Sequence, residues 1–324
     1  MRISDVLSSF AEICYKPLGE KGEDALAYNL SRPDMHAQAV FDGCGGAGAW
    51  KYPEYRNASG AFVAAQSMAK LFLAWFDSQS VSALASPREL ADSFHHAADE
   101  RLQALKRQCA PMGVAGSLVK SFPCTASVAI TAREERDSIL LTALNAGDSR
   151  VYFLSPSCGL IQLTQDDSRG HPDALQNLRD NAALSNLLNA DKPFQVSVRQ
   201  ARIKLPCAVI CATDGVFGFL RSPMDFEYML LKALLSASSM AAFEQLFESA
   251  VREAAGDDSI CLVSFYGWNS YDGIRNDLQQ RFAYVRRLID RMDDAGEDRT
   301  AAEQVILQTW QAYKKQTVWD EMQG

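Results

Sequence analysis

Three acidic turns in this chain carry residue types that bind divalent metal ions. In the first, a mostly apolar run ends in the turn 41–46, which reads Phe-Asp-Gly-Cys-Gly-Gly. The signature returns at Asp214, which ends an apolar run, and at Asp257, which stands just before one. Carboxylate and carbonyl oxygens in such turns are ligands that magnesium, manganese and calcium favour. If the three turns converge at one edge of a sheet structure, they form a site for divalent cations.

The first turn offers two oxygens to one ion, the carboxylate of Asp42 and the carbonyl of Gly43. Three glycines stand within the four residues 43–46. Glycine lacks Cβ and tolerates positive φ, so backbone can come close to a ligand there. A single Asp-Gly pair is weak evidence, because most such pairs form plain turns. The recurrence of the signature is what favours a metal site.

Composition excludes several other classes of protein. The chain has 324 residues, 48% of them hydrophobic, with 40 acidic against 32 basic residues and a net charge of -8. We expect a large core and no nucleic-acid partner, because nucleic-acid binders are more often basic. No secretory signal is visible, and no stretch approaches the ~18 apolar residues of a membrane span. The eight cysteines form no C-x-x-C pair, so we expect a reduced, cytoplasmic protein with no membrane partner.

The elements that must position these turns fall into groups of strands with pairs of helices between them. The predicted strands are 21–30, 34–41, 125–131, 138–145, 150–154, 196–205, 207–215 and 259–266, and the predicted helices are 59–76, 86–108, 220–235 and 240–254. Such grouping indicates an α+β protein with mostly antiparallel sheets, because a Rossmann fold alternates strand and helix.

Three local patterns add further expectations. Predicted strands flank the turn 146–149, which indicates a β-hairpin there. The apolar parity of the strand 196–205 flips between Val198 and Ala201, which indicates a β-bulge. The polar segment 155–195 is longer than loops in compact domains usually are, and such segments are usually functional or mobile.

The last part of the chain is helical in pattern. Apolar residues recur at helical spacing over 274–292 and again over 305–313, which predicts two helices. Two interpretations remain open: a helical hairpin packed on the main domain, or an arm that docks a partner protein. We therefore divide the chain into a main domain, 1–268, and a helical C-terminal extension, 269–324.

Five short motifs stand in order along the main domain. They are Glu23-Asp24, Asp42-Gly43-Cys44-Gly45-Gly46, Asn145-Ala146-Gly147-Asp148-Ser149-Arg150, Ala212-Thr213-Asp214-Gly215-Val216-Phe217 and Asp257-Asp258. In this order they resemble the metal-dependent serine/threonine protein phosphatases of type 2C, from about residue 19 to about residue 265. The Gly-Asp-Ser-Arg motif is the most specific, and the turn at 42–46 has the form common in bacterial members. Leu163-Thr164-Gln165-Asp166 is similar to the motif that opens the family's flap segment.

The resemblance implies a fold and a set of metal ligands. The fold is a four-layer αββα sandwich of two antiparallel sheets flanked by helix pairs, with metals in a cleft at one edge. Asp42 would bridge two manganese or magnesium ions and the Gly43 carbonyl would bind one of them, while Asp214 and Asp257 would bind the other. A water bridging the two ions would attack the phosphoester. Catalysis would then depend above all on Asp42 and Asp214.

Three further acidic residues have weaker implied roles. Glu23 and Asp24 would act through metal-bound waters, or simply stand at a solvated strand end. Asp148 would help to hold a weaker third ion, or accept a hydrogen bond within its own turn. Family members place another carboxylate four residues after Asp214, where this chain has Gly218, so the third site is incomplete.

Two other departures concern the substrate. Gly19 stands where members often have a phosphate-gripping arginine, and Lys16 and Lys21 nearby supply charge but not bidentate geometry. Cys44 stands where animal members have a histidine that protonates the leaving group, so a metal-bound water would take that role. Cys44 is not expected to be a covalent nucleophile, because no adjacent histidine activates it.

The sequence therefore predicts a hydrolase in signalling, a protein phosphatase that acts on phosphoserine and phosphothreonine in proteins, with a cognate kinase as a further partner. The alternative is a phosphatase-like module with weak or lost catalysis that binds a phosphoprotein or regulates a kinase. The retained carboxylates favour the enzyme, whereas Gly19 and Gly218 favour the alternative. A third alternative is a scaffold in which the C-terminal helices are the active part.

Overall fold

Two five-stranded antiparallel sheets form the centre of the protein. The computed structural model describes residues 2–316 except 18, 20–21, 110–118, 170–172, 181–182, 255 and 296–298. The strands are β1 Leu7–Tyr15, β2 Ala25–Asn29, β3 Met35–Phe41, β4 Lys51–Tyr52, β5 Ala58–Ser59, β6 Ala126–Glu135, β7 Ser138–Ala146, β8 Arg150–Ser155, β9 Gly159–Gln162, β10 Ser197–Lys204, β11 Cys207–Ala212 and β12 Ser259–Tyr266. Sheet I has the order β1-β12-β11-β8-β9 and sheet II the order β10-β7-β6-β3-β2, while β4 and β5 form a small separate pair.

Helices cover the outer face of each sheet. They are α1 Gly45–Gly48, α2 Gly60–Ser78, α3 Pro87–Arg107, α4 Ala174–Asp180, α5 Pro223–Ser236, α6 Met240–Ala254, α7 Tyr271–Asp293 and α8 Arg299–Gln316. Three of them begin at a serine cap: Ser59, Ser222 and Ser270 each accept the N–H three residues ahead through the side chain. This contact satisfies a backbone donor that the first helical turn leaves unpaired.

Three apolar clusters join these layers, and they confirm the predicted αββα sandwich. One lies between the sheets and includes Val209 and Leu262. Another joins sheet II to α2 and α3, with Phe72 at its centre, and the last joins sheet I to α5 through α8, with Phe226 and Phe265. Strands β3, β11 and β12 are buried at every residue, because both faces of each are covered. For this reason they appear in the sequence as apolar runs rather than as alternating patterns.

The predicted β-hairpin around residues 146–149 is wrong. β7 pairs with β6 and β10 in sheet II, whereas β8 pairs with β11 and β9 in sheet I. The turn therefore carries the chain from one sheet to the other at their common rim. The turn residues are compatible with a hairpin and with a crossing between the sheets, because turn chemistry is local. The strands that pair with β7 and β8 are distant in sequence, so the turn does not determine them.

The predicted bulge in β10 is also wrong. Its pairing with β7 runs without a shift from Ser197 opposite Asn145 to Lys204 opposite Ser138. The parity changes because the covering layer changes: Val198 packs against the helix-side core of sheet II, and Ala201 against the core between the sheets. β10 is an edge strand, so its two halves can be buried on opposite faces.

Within the described residues, the segment 155–195 contains β9 and α4, and the eight cysteines are free thiols. Among the described residues, no helix is both long enough and apolar enough to cross a membrane.

The C-terminal helices share the core of sheet I, which agrees with the interpretation as a packed hairpin. The rings of Tyr228 on α5 and Phe282 on α7 stack at 5.7 Å. Beneath them Arg281 donates two hydrogen bonds, of 2.7 and 2.8 Å, to Glu227, and both side chains are almost fully buried. Arg281 passes so close to Gly159 that a Cβ there would lie 2.1 Å from its Nε. Docking of a partner by these helices stays a prediction.

We expect Arg281→Met to destabilise the protein by about 3 kcal/mol, because it leaves the carboxylate of Glu227 buried without its cation. The control is Arg286→Met on the same helix, whose ion pair with Asp290 is exposed and should change stability by less than about 1 kcal/mol. The free energy of unfolding from urea titration measures both effects. Equal values for the two variants would show that the buried pair is not a structural requirement.

Candidate metal centre

Three carboxylates meet at the rim where the two sheets end. Asp42 follows β3, Asp148 lies in the turn between β7 and β8, and Asp214 follows β11. One oxygen of each lies within 4.8 Å of the others. Residues so distant in sequence come together because these strand ends reach the same edge of the sandwich. Of the predicted site residues, these are the ones that form a common cluster.

Asp24 stands behind this cluster as a buried fourth carboxyl group. Only 2% of its surface is exposed, and it lies close enough to Asp42 for the charge of Asp24 to raise the pKa of Asp42. The ammonium group of Lys16 donates to the Asp24 backbone carbonyl at 2.6 Å. The neighbouring Glu23 accepts a hydrogen bond from the hydroxyl of Ser59, which caps α2. Glu23 and Asp24 are thus built into the rim rather than standing at a solvated strand end.

Burial and mutual repulsion raise the pKa of every carboxyl group in this cluster. Burial, and then the charge of Asp214, raises the pKa of Asp24 to about 7. The same two causes raise the pKa of Asp148 to about 7. Burial and the charge of Asp24 hold the pKa of Asp42 well above its ordinary value, and burial likewise raises the pKa of Asp214. Without a cation, the folded protein therefore binds protons here that an unfolded chain would release near neutral pH.

The two residues of the acidic pair before β12 lie in different surroundings, and the metal role predicted for Asp257 stays a prediction. Asp257, the predicted ligand, is exposed and lies outside the three-carboxylate cluster, although its charge contributes to the raised pKa of Asp214. Asp258 is 8% exposed, and its Oδ2 accepts the backbone N–H of Glu23 at 2.5 Å. Asp258 therefore fixes the start of the Glu23–Asp24 stretch. The sequence signal for this role was present, since two acidic residues stand together, but it did not say which one turns inward.

The Asp148 turn is clamped by two residues that sequence reasoning did not assign. The backbone N–H of Gly147, with φ of 101°, donates to Asp167 Oδ2 at 3.0 Å, and the Asp167 N–H donates back to the Gly147 carbonyl at 2.9 Å. On the other side, Arg150 makes a bidentate pair with Asp166 at 2.9 and 2.6 Å. The turn is closed by Asp167, so the side chain of Asp148 is left to face the rim. The sequence signal for these two contacts was the acidic pair Asp166-Asp167, which follows Leu163-Thr164.

Arg150 is itself almost fully buried, with 2% of its surface exposed. Its guanidinium group lies over the ring of Phe217 at 4.1 Å and donates to the hydroxyl of Tyr152 at 3.1 Å. These contacts and the Asp166 pair occupy the guanidinium fork. Arg150 therefore holds the rim together rather than reaching into it.

Gly43 permits the close packing that the first turn needs. A Cβ at this position would lie 2.8 Å from the Glu23 carbonyl oxygen and 2.9 Å from that of Ala61. Gly43 also forms an isolated bridge with Cys124. Burial, and then the charge of Asp42, holds the pKa of the neighbouring Cys44 thiol well above its ordinary value. A neutral thiol is a poor nucleophile, which agrees with the expectation for Cys44.

The structure describes two of the positions at which this chain departs from the family pattern, Gly19 and Gly218. Gly19 is exposed with φ of 61°, and Lys16 close to it is bonded to the Asp24 backbone. Lys21 lies outside the described residues. The N–H of Gly218 donates to the Asp214 carbonyl at 2.6 Å, and a Cβ there would lie 2.9 Å from the same oxygen. The turn after Asp214 is thus tighter than a carboxylate-bearing residue would allow without adjustment.

Comparison with solved structures finds the same fold in known phosphatases. The catalytic domain of the serine/threonine protein phosphatase PstP, solved in complex with two manganese ions, is 16% identical, with a TM-score of 0.52 over 81% of this chain and 98% of that chain. Stp1 from Staphylococcus aureus is 15% identical, with a TM-score of 0.55 over 80% and 96%. PppA, a key regulatory component of the T6SS in Pseudomonas aeruginosa, is 19% identical, with a TM-score of 0.52 over 81% and 99%. At such identities the likeness shows the fold alone.

Comparison at the level of sequence shows the family. No curated protein matches the chain significantly. The model of a family described as protein phosphatase 2C matches residues 18–256, which is most of the chain and includes the four carboxylates at the rim. Together with the two-sheet sandwich and its acidic rim, this match shows that the chain belongs to the protein phosphatase 2C family.

Proposed function

We propose that the protein is a metal-dependent phosphatase that hydrolyses phosphoserine and phosphothreonine esters in proteins. The observation that carries the proposal is the meeting of Asp42, Asp148 and Asp214, with one oxygen of each within 4.8 Å of the others, at the rim of a type 2C domain. PstP, a phosphatase of the same fold, was solved with two manganese ions. Manganese and magnesium favour oxygen ligands of this kind.

The chemistry of the donor set fits divalent cations. Neither Asp24 Oδ2 nor Asp148 Oδ1 receives a hydrogen bond from any N–H or O–H donor among the described residues, although both atoms are buried. Buried polar atoms are rarely left without a partner, and a buried negative charge is costly unless it is paired. Arg150, whose charge acts on Asp148 and Asp214, is already paired with Asp166. The carboxylate cluster therefore requires a cation or, when no cation is bound, a shared proton.

The residues of the chain would divide the work as follows. Asp42 and Asp214 hold the ions, with the carbonyl of Gly43 as a further ligand and Asp257 as a ligand from the exposed side. When bound, two divalent ions lower the pKa of a water molecule and neutralise charge on the phosphoryl oxygens. Asp24 acts by positioning, because its carboxyl group is buried behind Asp42 and its charge acts on that residue.

Two other rim residues support the same site. The hydrogen bond from the hydroxyl of Ser59 fixes the carboxylate of Glu23 beside the rim, where it can bind water at the ions. Asp148 offers its free oxygen to an ion, and the Asp167 and Arg150 contacts on either side keep it oriented. Because Gly218 supplies no side chain, we propose two firmly held ions and at most a weak third one.

A phosphatase-like module that binds a phosphoprotein, or regulates a cognate kinase without hydrolysis, is the second candidate. The observation in its favour is Gly19, which gives the substrate phosphate no bidentate donor at a position where family members often have arginine. Two described cations line a groove with Gly19. The ammonium group of Lys16 already bonds the Asp24 carbonyl, and Arg252 pairs with Glu248. Turnover separates the two candidates, because they differ in catalysis and not in recognition.

We expect manganese-dependent hydrolysis of p-nitrophenyl phosphate and phosphorylated casein, and a loss of about a thousandfold or more in kcat for Asp42→Asn and Asp214→Asn, because each variant removes an ion ligand. The matched control is Asp137→Asn, an exposed carboxylate in the β6–β7 turn at the opposite end of the sheet. Its kcat should equal that of the wild type. Absence of turnover by the wild type, with retained binding of phosphorylated casein, would support the second candidate instead.

The raised carboxyl pKa values also predict a pH dependence of stability. A carboxyl group whose pKa is raised by folding stabilises the protein when protonated, and this contribution is lost as pH rises towards the folded-state pKa. For Asp24 and Asp148 that window runs from about 4, the ordinary pKa of a carboxyl group, to about 7. The free energy of unfolding of the metal-free protein should therefore fall across this window.

The check is urea denaturation with EDTA and with manganese, between pH 5 and pH 8. The fall should be smaller in Asp42→Asn, because this variant removes one of the repelling charges, and smaller in the wild type with manganese. Asp137→Asn should behave as the wild type. Parallel pH profiles for the wild type and Asp42→Asn would contradict a repelling cluster at the rim.

A further inference from the structure

The chain makes a long excursion from the rim after Asp167. The Ser185 N–H donates to the Asp167 carbonyl at 2.8 Å, and the Arg169 N–H donates to the Ala183 carbonyl at 3.1 Å. The outgoing and returning stretches therefore run side by side, with α4 at the far end. We call the described residues of this segment, 166–169, 173–180 and 183–186, the flap. Its end at Asp167 is the base, and its end at α4 is the tip.

The base of the flap is fixed to the proposed metal site. Asp167 exchanges two hydrogen bonds with Gly147, and Asp166 pairs with Arg150, so the flap grips the turn on both sides of Asp148. The returning chain is fixed as well, because the amide of Asn186 donates to Asp167 Oδ2 at 2.5 Å. A displacement of the flap would therefore also displace the turn that carries Asp148.

The tip of the flap is held by the C-terminal helix. The indole N–H of Trp310 on α8 lies 2.9 and 3.1 Å from the two carboxylate oxygens of Asp173, and the ammonium group of Lys314 donates to the same carboxylate at 2.7 Å. Asp173 also accepts the N–H of Leu175 at 3.1 Å, at the start of α4. One carboxylate therefore joins the first turn of α4 to two side chains of α8.

Helix α8 is anchored to the body of the protein by contacts that do not involve the flap. The hydroxyl of Tyr313 donates to Glu227 Oε2 at 2.5 Å and lies 3.2 Å from the Leu160 carbonyl. Glu227 is fully buried and paired with Arg281 of α7. Since α8 is fixed on this side, its contacts with Asp173 can hold the tip in place.

We propose that α8 braces the tip of the flap through Asp173, and that this brace sets the affinity of the protein for phosphoprotein substrates. The proposal rests on the proposed phosphatase function. Arg150 beside the rim, Asp173 of the flap and Lys314 of α8 line one groove, so a polypeptide that brings a phosphoester to the rim can extend along this groove to the tip. A small aryl phosphate does not extend as far as the tip. A recognition surface that is held in place binds more tightly than one that must be ordered on binding.

The test uses two variants on α8, so that the start of α4 is unaltered. Trp310→Phe removes the indole N–H and keeps an aromatic ring to stack on Tyr313, 5.5 Å away. Lys314→Met removes the charge and keeps the apolar stem. The matched control is Asp293→Asn on α7, which breaks an exposed ion pair with Arg221 and leaves the contacts of Asp173 unaltered. Asp173 itself is left unchanged because its substitution would also remove the contact with the N–H of Leu175.

Hydrogen exchange and steady-state kinetics with manganese give the readouts. For both α8 variants we expect faster amide exchange over residues 174–180 and a KM for phosphorylated casein about fivefold higher, as the loss of one charge-assisted hydrogen bond implies. The kcat for casein and both constants for p-nitrophenyl phosphate should equal those of the wild type. Asp293→Asn should change none of these quantities.

Two results would overturn the proposal. Unchanged exchange over 174–180 would show that α8 does not hold the tip, and faster exchange with an unchanged KM would show that the brace does not govern substrate affinity. If the wild type hydrolyses neither substrate, the phosphatase function fails separately. In that case amide exchange over residues 174–180 and the Kd for phosphorylated casein test the proposed brace. An equal Kd in the wild type and both α8 variants would refute it.

Discussion

Repulsion among carboxylates at the rim is the constraint on which the arrangement of the rest depends. Asp42, Asp148 and Asp214 are held with oxygens within 4.8 Å of one another, and Asp24 is buried behind them. Such a group opposes folding unless a cation or shared protons compensate it. The fold resists the repulsion by placing each carboxylate at the end of a strand that is buried in the sandwich. The core thus supplies the free energy that keeps the site assembled.

Three of the supporting contacts around the rim act on backbone. Asp258 holds the Glu23 N–H, Asp167 holds Gly147, and Lys16 holds the Asp24 carbonyl. Side chains that fix backbone leave the carboxylates of the cluster free to bind ligands. This division between positioning groups and ligating groups is common to protein metal sites, where outer contacts orient the ligands.

The C-terminal helices are held in place by similar contacts away from the rim. They share the core of sheet I, and the buried pair of Glu227 and Arg281 ties α5 to α7 and, through Tyr313, to α8. A helix fixed in this way can influence a segment such as the flap with only a few polar contacts. The C-terminal helices are therefore bonded to Asp173 at the start of α4, while residues 166 and 167 bond the turn that carries Asp148.

The sequence by itself determined the kinds and order of most elements and the identity of the rim carboxylates, because these depend on local periodicity and on short motifs. It did not predict β9 or α4, which lie in the polar segment 155–195. Only the tertiary structure decided that the chain changes sheets between β7 and β8, since a period of two indicates a buried face but not the strand beside it. In the same way, Asp257 and Asp258 look alike in sequence, and packing alone turns Asp258 inward. The contacts of Asp173 with α8 also join residues more than a hundred positions apart. No local pattern can encode such a pairing, because its free energy depends on where distant elements dock.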